Sequence, residues 1–288
     1  MTQTAVPLEL SAGALRLAVR ADLGASIAGL WHRDHPVLRS TEADALLTSR
    51  ASGCYPLLPY SNRVAWRRFE WLGQPYTTQQ NFDDNPHSVH GVGWQRPWSV
   101  TVHTDDTLEL ALEHAGDAHW PFPFSATQQF RLQEGHLAVR LTCTNRAAHV
   151  APVGLGWHPY FPKRSRSRLH VELSGRWDSD EAGLPVRHVA QPGIDADIEH
   201  LRYDNCFDGW QGPARLRDEV LAVTLRSSLD RLVVFTPSDR AYYCVEPVSH
   251  DSNAINFTEP NAHGLRSVAP GEATEAWMTI DVADVHDA

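Results

Sequence analysis

Apolar and polar residues alternate through most of this chain, and that alternation predicts β-strands. In "HLAVRLTCTN" every second residue from Leu137 to Cys143 is apolar, and the residues between them are mostly polar. A period of two is typical of a strand with one buried face. The preceding "FSATQQFRLQ" joins this strand through "EG", and "FEWLGQPYTT" turns at Leu72-Gly73, so both stretches are predicted hairpins.

Helical periodicity is scarce. Only "TEADALLTS", Thr41 to Ser49, predicts a short helix, with Ser40 or Thr41 as its cap. Turn-forming residues separate the predicted strands at intervals of about ten residues, with no internal repeat and no linker-like stretch. We therefore predict a single all-β domain over residues 1–288, a large antiparallel β-sandwich with very little helix.

The composition narrows the classes of partner. The chain of 288 residues carries a formal charge of −10, from 25 basic and 35 acidic residues. Because an acidic surface repels phosphate polyanions, nucleic acid and anionic membranes are excluded as expected partners. The first residues lack a signal-peptide pattern, and no window reaches the roughly 18 apolar residues of a membrane-spanning helix. We expect a cytoplasmic protein.

The four cysteines, Cys54, Cys143, Cys206 and Cys244, are far apart and form no CxxC motif. Wide spacing in a chain without a secretion signal predicts reduced, mostly buried thiols. No group of histidine, cysteine and aspartate has zinc-like spacing, and "HSVH" lies between a proline and a glycine that oppose a helix. The sequence predicts no metal and no cofactor.

Segments rich in polar groups interrupt the strand rhythm and are the candidates for chemistry. They are Tyr55 to Phe69, Asn85 to Trp94, Gly156 to Phe161, and Tyr242 to Asn256. In the last of them, alternation places Tyr242, Cys244 and Glu246 on one face of a strand. If that face points inward, the carboxylate is buried, and burial raises a carboxylate pKa toward the range of a useful base. The alternative is a solvent-facing glutamate at a strand end.

His158 stands among aromatic residues in "GWHPYF", and His90 precedes a glycine in "VHGVGW". Each imidazole is either a hydrogen-bonded core residue or an acid–base group that works near neutral pH. The ten tryptophans allow a similar choice, since their rings fill cores and also stack on sugar faces. The basic run "KRSRSRLH", which begins at Lys163, is either a recognition element for an anion or a solvated loop.

Taken in order, these segments resemble one family. The motifs are "NR" after a proline-rich approach, "HG", "HPYF", an aspartate in "YDNCFDGW" and a late "EP". This ordered set, on an all-β chain of this length, resembles the aldose 1-epimerase (galactose mutarotase) family, and "PLLPYSNRVAWRRFEWLGQPY" resembles its bacterial branch. The resemblance runs from about Tyr55 to the C-terminal strand, and it implies the large antiparallel sandwich of the galactose mutarotases.

The resemblance also implies a catalytic pair and a sugar pocket. Carried over residue by residue, the pair is His158 of "HPYF" and Glu246 of "EP". The implied substrate-binding positions are Asn62, Arg63, His90 and Asp204. Asp208 competes with Asp204 for its place, because both lie in "YDNCFDGW". No metal or cofactor is implied.

The chain departs from the family pattern at one place. Many members carry a glutamine in the strand before "EP", where this chain has Val233 or Val234. A sugar hydroxyl bound by that glutamine would lose its partner here, which leaves open whether galactose is the substrate.

The implied reaction interconverts the α and β anomers of a free aldose by ring opening and closure, with Glu246 as general base and His158 as general acid. The implied partner is a small monosaccharide, bound by a monomer or a homodimer. Three alternatives stay open. They are a mutarotase for a phosphorylated or sulfonated sugar, a glycoside hydrolase or lyase with a second carboxylate at Asp204 or Asp208, and a non-catalytic carbohydrate-binding module.

Overall fold

The computed structural model describes residues 8–285, and β-strands dominate them. The strands are, in chain order, β1 (Leu8–Ala12), β2 (Leu15–Arg20), β3 (Ser26–His32), β4 (His35–Pro36), β5 (Pro56–Leu57), β6 (Arg63–Val64), β7 (Arg68–Trp71), β8 (Gln74–Thr77), β9 (Ser88–Val89), β10 (Ser99–His103), β11 (Thr107–His114), β12 (Phe124–Gln133), β13 (His136–Asn145), β14 (Ala151–Val153), β15 (Gly156–Trp157), β16 (Tyr160–Pro162), β17 (Arg168–Glu172), β18 (Gly175–Ser179), β19 (Pro185–Ala190), β20 (Ile194–Asp197), β21 (Asp204–Asp208), β22 (Gln211–Arg217), β23 (Leu221–Ser227), β24 (Arg231–Phe235), β25 (Tyr242–Val248), β26 (Arg266–Val268) and β27 (Ala273–Asp284). The helical elements are short 3₁₀ turns at Ala43–Ala45, Ser49–Ala51, Ala65–Arg67, Gly93–Gln95, Ile198–His200 and Ala254–Asn256. No α-helix occurs within residues 8–285, so the predicted all-β fold is confirmed.

Two large antiparallel sheets form the body of the protein. One has nine strands in the order β10-β11-β12-β13-β27-β23-β22-β17-β20. The other has the order β19-β18-β21-β24-β25-β15-β5, with β16 paired to β25 as its eighth strand. A four-stranded sheet, β1-β2-β3-β4, and the pairs β6-β9, β7-β8 and β14-β26 complete the described structure.

Alternation decides which face of the nine-stranded sheet is buried. Along β13, every second residue from Leu137 to Cys143 is at most 1% exposed, as the sequence predicts. These side chains join Phe130 of β12 and Met278 of β27 in the main hydrophobic core. Burying one large aliphatic side chain stabilises the fold by about 1.5–3 kcal/mol, so this face holds the sandwich together.

The strand β25 of the eight-stranded sheet is buried on both faces. Tyr243 and Val245 pack in the main core, whereas Cys244 and Val248 pack in a second cluster on the opposite face. We call this second cluster the outer cluster; its members are Tyr55, Leu57, Trp94, Tyr160, Cys206, Val233, Cys244 and Val248. The even-numbered residues of β25 therefore point away from the main core, toward the segments predicted to carry chemistry.

The predicted helix over residues 41–49 is wrong. The segment contains the 3₁₀ turn Ala43–Ala45, and a second turn begins at Ser49. The Arg20 guanidinium donates hydrogen bonds to the backbone carbonyls of Ala43 and Leu46. Those carbonyls would accept the next helical hydrogen bonds, so their capture ends the turn.

Across residues 8–285 no helix has the length and apolarity that a membrane crossing needs.

Both predicted hairpins are confirmed. β12 and β13 pair across Glu134-Gly135, and β7 and β8 pair across Leu72-Gly73. Leu72 has φ 52° and Gly73 has φ 75°. Two consecutive left-handed residues make the kind of two-residue turn that matches the twist of paired strands.

The predicted burial of the cysteines is confirmed. All four side chains are buried, and none forms a disulfide. Burial raises the pKa of the Cys143 thiol to about 12, so this sulfur stays protonated at neutral pH.

Leu141, in the middle of β13, tests the assignment of the buried face. Leu141→Ala removes a side chain that is 0% exposed and leaves a cavity, so the free energy of unfolding should fall by about 2–5 kcal/mol. Urea denaturation followed by tryptophan fluorescence measures the change. The matched control is Arg140→Ala on the outer face, whose exposed ion pair with Glu275 contributes less than about 1 kcal/mol. Equal losses in the two variants would contradict the assignment.

Candidate active site

A pocket of about 290 Å³ opens on the outer face of the eight-stranded sheet. All the residues that the sequence proposes for the site line it, namely Asn62, Arg63, His90, His158, Asp204 and Glu246. The competing Asp208 does not line the pocket, and its carboxylate lies 2.6 Å from Nε2 of His188. A concave site of this size suits a small molecule.

A larger cavity, about 520 Å³, lies beside β14 and β26 and contains none of these six residues. Two arginines, Arg231 and Arg266, line this cavity, and Arg231 is already paired with Asp251 at 2.9 Å and with Asp230 at 2.7 Å. Chemistry rather than volume therefore identifies the smaller pocket as the candidate site.

Cross-strand pairs build the pocket floor. In an antiparallel sheet, directly paired residues project to the same face, and so do residues two apart along one strand. Two adjacent rows on the outer face meet these conditions. The first row is Asp204, Phe235, Cys244 and Tyr160, and the second is Cys206, Val233 and Glu246. The sheet itself thus brings the carboxylates of Asp204 and Glu246 to one floor.

His158 extends the second row. β25 pairs first with β15 and then with β16, and the two stretches keep one register, in which the residue opposite Glu246 is His158. The gap between Nε2 of His158 and Oε1 of Glu246 is 3.4 Å. The imidazole and the carboxylate therefore face each other because the register continues through the interruption in the strand.

Two tyrosines hold the imidazole of His158. The backbone N–H of His158 donates to the carbonyl oxygen of Tyr55 at 3.0 Å. The ring of Tyr160 stacks on the imidazole, with centroids 4.4 Å apart and planes inclined by 14°. The Tyr55 ring lies 4.9 Å away, and the two tyrosine hydroxyls are 3.1 Å apart. This packing restricts rotation of the imidazole and keeps Nε2 beside Glu246.

The buried position of the pair changes its acid–base chemistry. Burial raises the pKa of Glu246 well above its ordinary value, and Asp204 adds to the rise while Arg63 opposes it. Burial lowers the pKa of His158 well below its ordinary value, and nearby His90 and Arg39 add to the fall. Each group resists carrying a charge, so burial favours the neutral form of the pair, with the proton on Glu246 and a neutral His158.

His90 presents an N–H donor to the pocket. The backbone N–H of Asn62 donates to Nδ1 of His90 at 3.1 Å. Burial, with Arg63 and Arg50 nearby, lowers the pKa of His90 to about 3. A neutral ring whose Nδ1 accepts a hydrogen bond must carry its proton on Nε2. His90 is therefore a fixed donor, and it does not exchange protons near neutral pH.

Asn62, Arg63 and Asp204 form a polar chain on the pocket wall. Nη1 of Arg63 donates to Oδ1 of Asn62 at 3.0 Å, and Nη2 lies 3.5 Å from Oδ2 of Asp204. Gly183 lies against the guanidinium, where a Cβ atom would come within 2.9 Å of Cζ. This row of polar side chains presents two groups to a ligand. They are the Arg63 guanidinium, which is a cation, and the Asp204 carboxylate, which can only accept hydrogen bonds.

The basic run that begins at Lys163 does not line the pocket. Arg164 lies 2.5 Å from Asp218 of the loop after β22. Arg168 pairs with two aspartates of β20, each at 2.9 Å. These cations hold neighbouring strands and loops together, so the run has no part in recognising an anion at this site.

Sequence reasoning missed several side chains of the pocket. Tyr160 could have been found, because it belongs to "HPYF" and stands two residues from His158. Arg50 and Phe82 gave no such signal, since they reach the pocket from a 3₁₀ turn and a loop. The Arg50 guanidinium lies 4.1 Å above the Phe82 ring. Contacts of this kind depend on tertiary packing, which linear spacing does not encode.

One group of side chains on the floor has the composition of a metal site. Among residues 8–285, ligand atoms of His158, Cys244 and Glu246 all lie within 4.8 Å of one another. Spacing along the sequence does not reveal this group, because His158 lies between β15 and β16, whereas Cys244 and Glu246 lie on β25.

The tautomer of His90 can be observed directly. In NMR spectra of ¹⁵N-labelled protein, His90 should keep its proton on Nε2 and show no titration between about pH 5 and pH 8, because its pKa is about 3. A histidine in a short peptide, measured in the same buffers, titrates near its ordinary value of about 6.5. A His90 that gains a second proton near neutral pH would contradict its role as a fixed donor.

The chain resembles known proteins over nearly its whole length. The chain matches the aldose 1-epimerase family over residues 7–281. It is 32% identical over 290 residues to the uncharacterised protein YphB of Escherichia coli K12, covering 95% of this chain and 97% of YphB. A galactose mutarotase-like protein of Clostridium acetobutylicum superposes with a TM-score of 0.84 at 18% identity, covering 96% of this chain and 95% of that one. For the galactose 1-epimerase of Lactobacillus acidophilus the TM-score is 0.77 at 13% identity, with 96% and 93% covered.

The two structural comparisons show a shared fold, and the sequence match shows the family. The family match spans nearly the whole chain, including every segment that contributes a side chain to the pocket. This chain belongs to the aldose 1-epimerase family.

Proposed function

We propose that this protein is a mutarotase that interconverts the α and β anomers of a free aldose. The observation that carries the proposal is the buried pair of Glu246 and His158, with Oε1 and Nε2 3.4 Å apart on the pocket floor. Mutarotation needs a proton removed from one oxygen of the anomeric carbon and a proton delivered to the other. Two acid–base atoms this close together suit two oxygens that are bonded to one carbon.

Ring opening uses the form of the pair that carries its proton on the imidazole. Glu246 accepts the proton of the anomeric hydroxyl, O1, while Nε2 of His158 donates its proton to the ring oxygen, O5. The C1–O5 bond breaks with its electron pair going to O5, and the C1–O1 bond becomes a carbonyl. A positioned acid and a positioned base each contribute about 10²–10⁴-fold to such a rate.

Ring closure uses the form that opening leaves behind, with the proton on Glu246 and a neutral His158. Burial favours this form, because it raises the pKa of the carboxyl and lowers the pKa of the imidazole. Rotation about C1–C2 presents the other face of the carbonyl to O5. His158 then takes the O5 proton and Glu246 returns a proton to O1, so the pair ends in the state in which it began.

The pocket wall supplies the groups that would hold the sugar. The Nε2–H of His90 and the guanidinium of Arg63 donate to sugar oxygens and stabilise the negative charge that develops there. Asp204 accepts from a sugar hydroxyl. Val233 lies directly beside Glu246, whereas Val234 faces the main core. Val233 therefore takes the place of the glutamine that many family members carry, and a hydroxyl directed at it finds no partner.

A neutral aldose fits this pocket better than a phosphorylated or sulfonated one. Each arginine of the pocket wall already faces a carboxylate. The pairs are Arg50 with Asp83 at 2.5 Å, Arg63 with Asp204 at 3.5 Å, and Arg240 with Asp239 at 3.4 Å. An anionic substituent would have to compete with these carboxylates, and the basic run at Lys163 offers it no cation.

Polarimetry tests the proposed reaction. Freshly dissolved α-anomers of glucose, galactose and L-arabinose, with glucose 6-phosphate as an anionic comparison, are followed to equilibrium with and without the protein. At least one neutral sugar should relax faster, and Glu246→Gln should lower the acceleration by about 10²-fold or more while calorimetry still detects sugar binding. If no sugar relaxes faster, the protein is not a mutarotase of these aldoses. Full activity in Glu246→Gln would remove Glu246 from the mechanism.

Two aspartates of β21 provide a matched test of sugar binding. Asp204→Asn removes a charged acceptor from the pocket wall, a hydrogen bond worth about 1.5–3 kcal/mol, and should raise KM by about 10- to 100-fold. Asp208→Asn is the control, because that carboxylate is bound to His188 and does not line the pocket; its KM should stay within about twofold. The reverse pattern would place the sugar against Asp208.

A further inference from the structure

Cys244 belongs to the outer cluster and does not itself line the pocket, and mutarotation does not use its thiol. Its thiol is 0% exposed and forms no disulfide. It lies two residues before Glu246 on β25, so both side chains leave the sheet on the same face. His158, which lies between β15 and β16, stands opposite Glu246 and completes a triangle of nitrogen, sulfur and carboxylate oxygen with every side within 4.8 Å.

Glu246 gives an independent reason to expect a ligand here. The residue is 2% exposed, and its Oε2 has no hydrogen-bond partner among residues 8–285. A buried carboxylate oxygen without a partner costs free energy. A sugar hydroxyl supplies such a partner during catalysis, and a cation supplies a stronger one.

We propose that His158, Cys244 and Glu246 bind one thiophilic divalent cation, with Zn²⁺ as the expected physiological ion. Thiolate, imidazole and carboxylate are the ligand types of zinc, with bonds of about 2.0–2.3 Å, so the ligands of one tetrahedral ion lie about 3–4 Å apart. Side-chain shifts of about 1 Å bring the triangle to those separations. Mg²⁺ and Ca²⁺ prefer oxygen ligands and gain nothing from the sulfur.

The charges and protons of this site balance. On binding, the thiol releases its proton to solvent, and the Glu246–His158 pair releases the one proton that it shares. The divalent ion, one thiolate, one carboxylate and a neutral imidazole then sum to zero charge. Zero net charge suits a buried site, where an unbalanced charge is costly. Three protein ligands leave the fourth tetrahedral position to water.

The ion would bind the same two side chains, His158 and Glu246, that move protons in mutarotation, so binding stops the reaction. This consequence rests on the proposed function, whereas the binding of the cation does not. Sugar and cation compete for Glu246, so a saturating sugar should also weaken the binding of the cation.

Cd²⁺, added to the full-length protein after treatment with a chelator, tests the site directly, because cadmium thiolates absorb in the ultraviolet. We expect one cadmium–thiolate site per chain, displaced by Zn²⁺ and not by Mg²⁺. Cys244→Ala should abolish the absorption. Cys143→Ala, which removes a buried thiol of β13 away from the pocket, should retain it. Glu246→Gln has a side chain of the same size and leaves the Cys244 thiol in place. It should weaken Cd²⁺ binding by more than about 10-fold.

Circular dichroism verifies that each variant is folded. No absorption in the wild type, or an equal absorption in folded Cys244→Ala, would overturn the proposed cation site. If Cys244→Ala does not fold, the Glu246→Gln variant decides, and an unchanged Cd²⁺ affinity in that variant would overturn the site.

Polarimetry in the presence of Zn²⁺ keeps the two proposals separate. The wild type and Cys143→Ala should accelerate mutarotation less as the Zn²⁺ concentration rises. Cys244→Ala should need a Zn²⁺ concentration at least about 10-fold higher for the same inhibition. If the metal-free protein does not accelerate the mutarotation of any sugar, the proposed function is wrong, while Cd²⁺ binding would still support the cation site. If acceleration persists at Zn²⁺ concentrations that displace Cd²⁺, the inhibitory role of the ion is wrong.

Discussion

The register of the antiparallel pairing along β25 is the constraint on which the pocket depends. Because β15 and β16 pair with this strand in one register, His158 stands opposite Glu246 although the pairing is interrupted between them. A slip of one residue would turn Glu246 toward the main core and Val245 toward the pocket. The packing of both large sheets holds this register, and Tyr55 and Tyr160 only orient an imidazole whose place the sheet has already set.

Burial converts this geometry into chemistry. The same desolvation raises the pKa of Glu246 and lowers the pKa of His158, so neither group gains by being charged alone. Arg63 and Asp204 act on Glu246 with opposite signs, and they face each other at 3.5 Å on the wall. The groups that would bind sugar hydroxyls therefore also adjust the proton balance of the pair. A pair with one shared proton can open a ring and close it without help from solvent.

The alternation of apolar and polar residues predicted the fold because one face of a strand packs in the core and the other faces solvent, as along β13. The order of short motifs brought together six residues that line one pocket. The choice between Val233 and Val234 was a choice of face, which the pairing of β24 with β25 decides. Asp204 and Asp208 lie four residues apart on the same face of β21, and their positions along the strand separate them, since Asp204 lines the pocket and Asp208 contacts His188. The prediction of a helix at residues 41–49 was wrong for a related reason. Arg20 of β2 donates hydrogen bonds to two backbone carbonyls of this segment, and the spacing of residues within the segment cannot show that contact.

The pH dependence of kcat/KM, after subtraction of the uncatalysed rate, tests the shared-proton pair most directly. A pair that works with one proton predicts a bell-shaped profile. Activity is lost at low pH when His158 and Glu246 both hold protons, and at high pH when neither does. The residual rate of Glu246→Gln should then lose one limb of the bell. A wild-type rate that rises with pH to a plateau would mean that a single base acts alone, and it would contradict the pair.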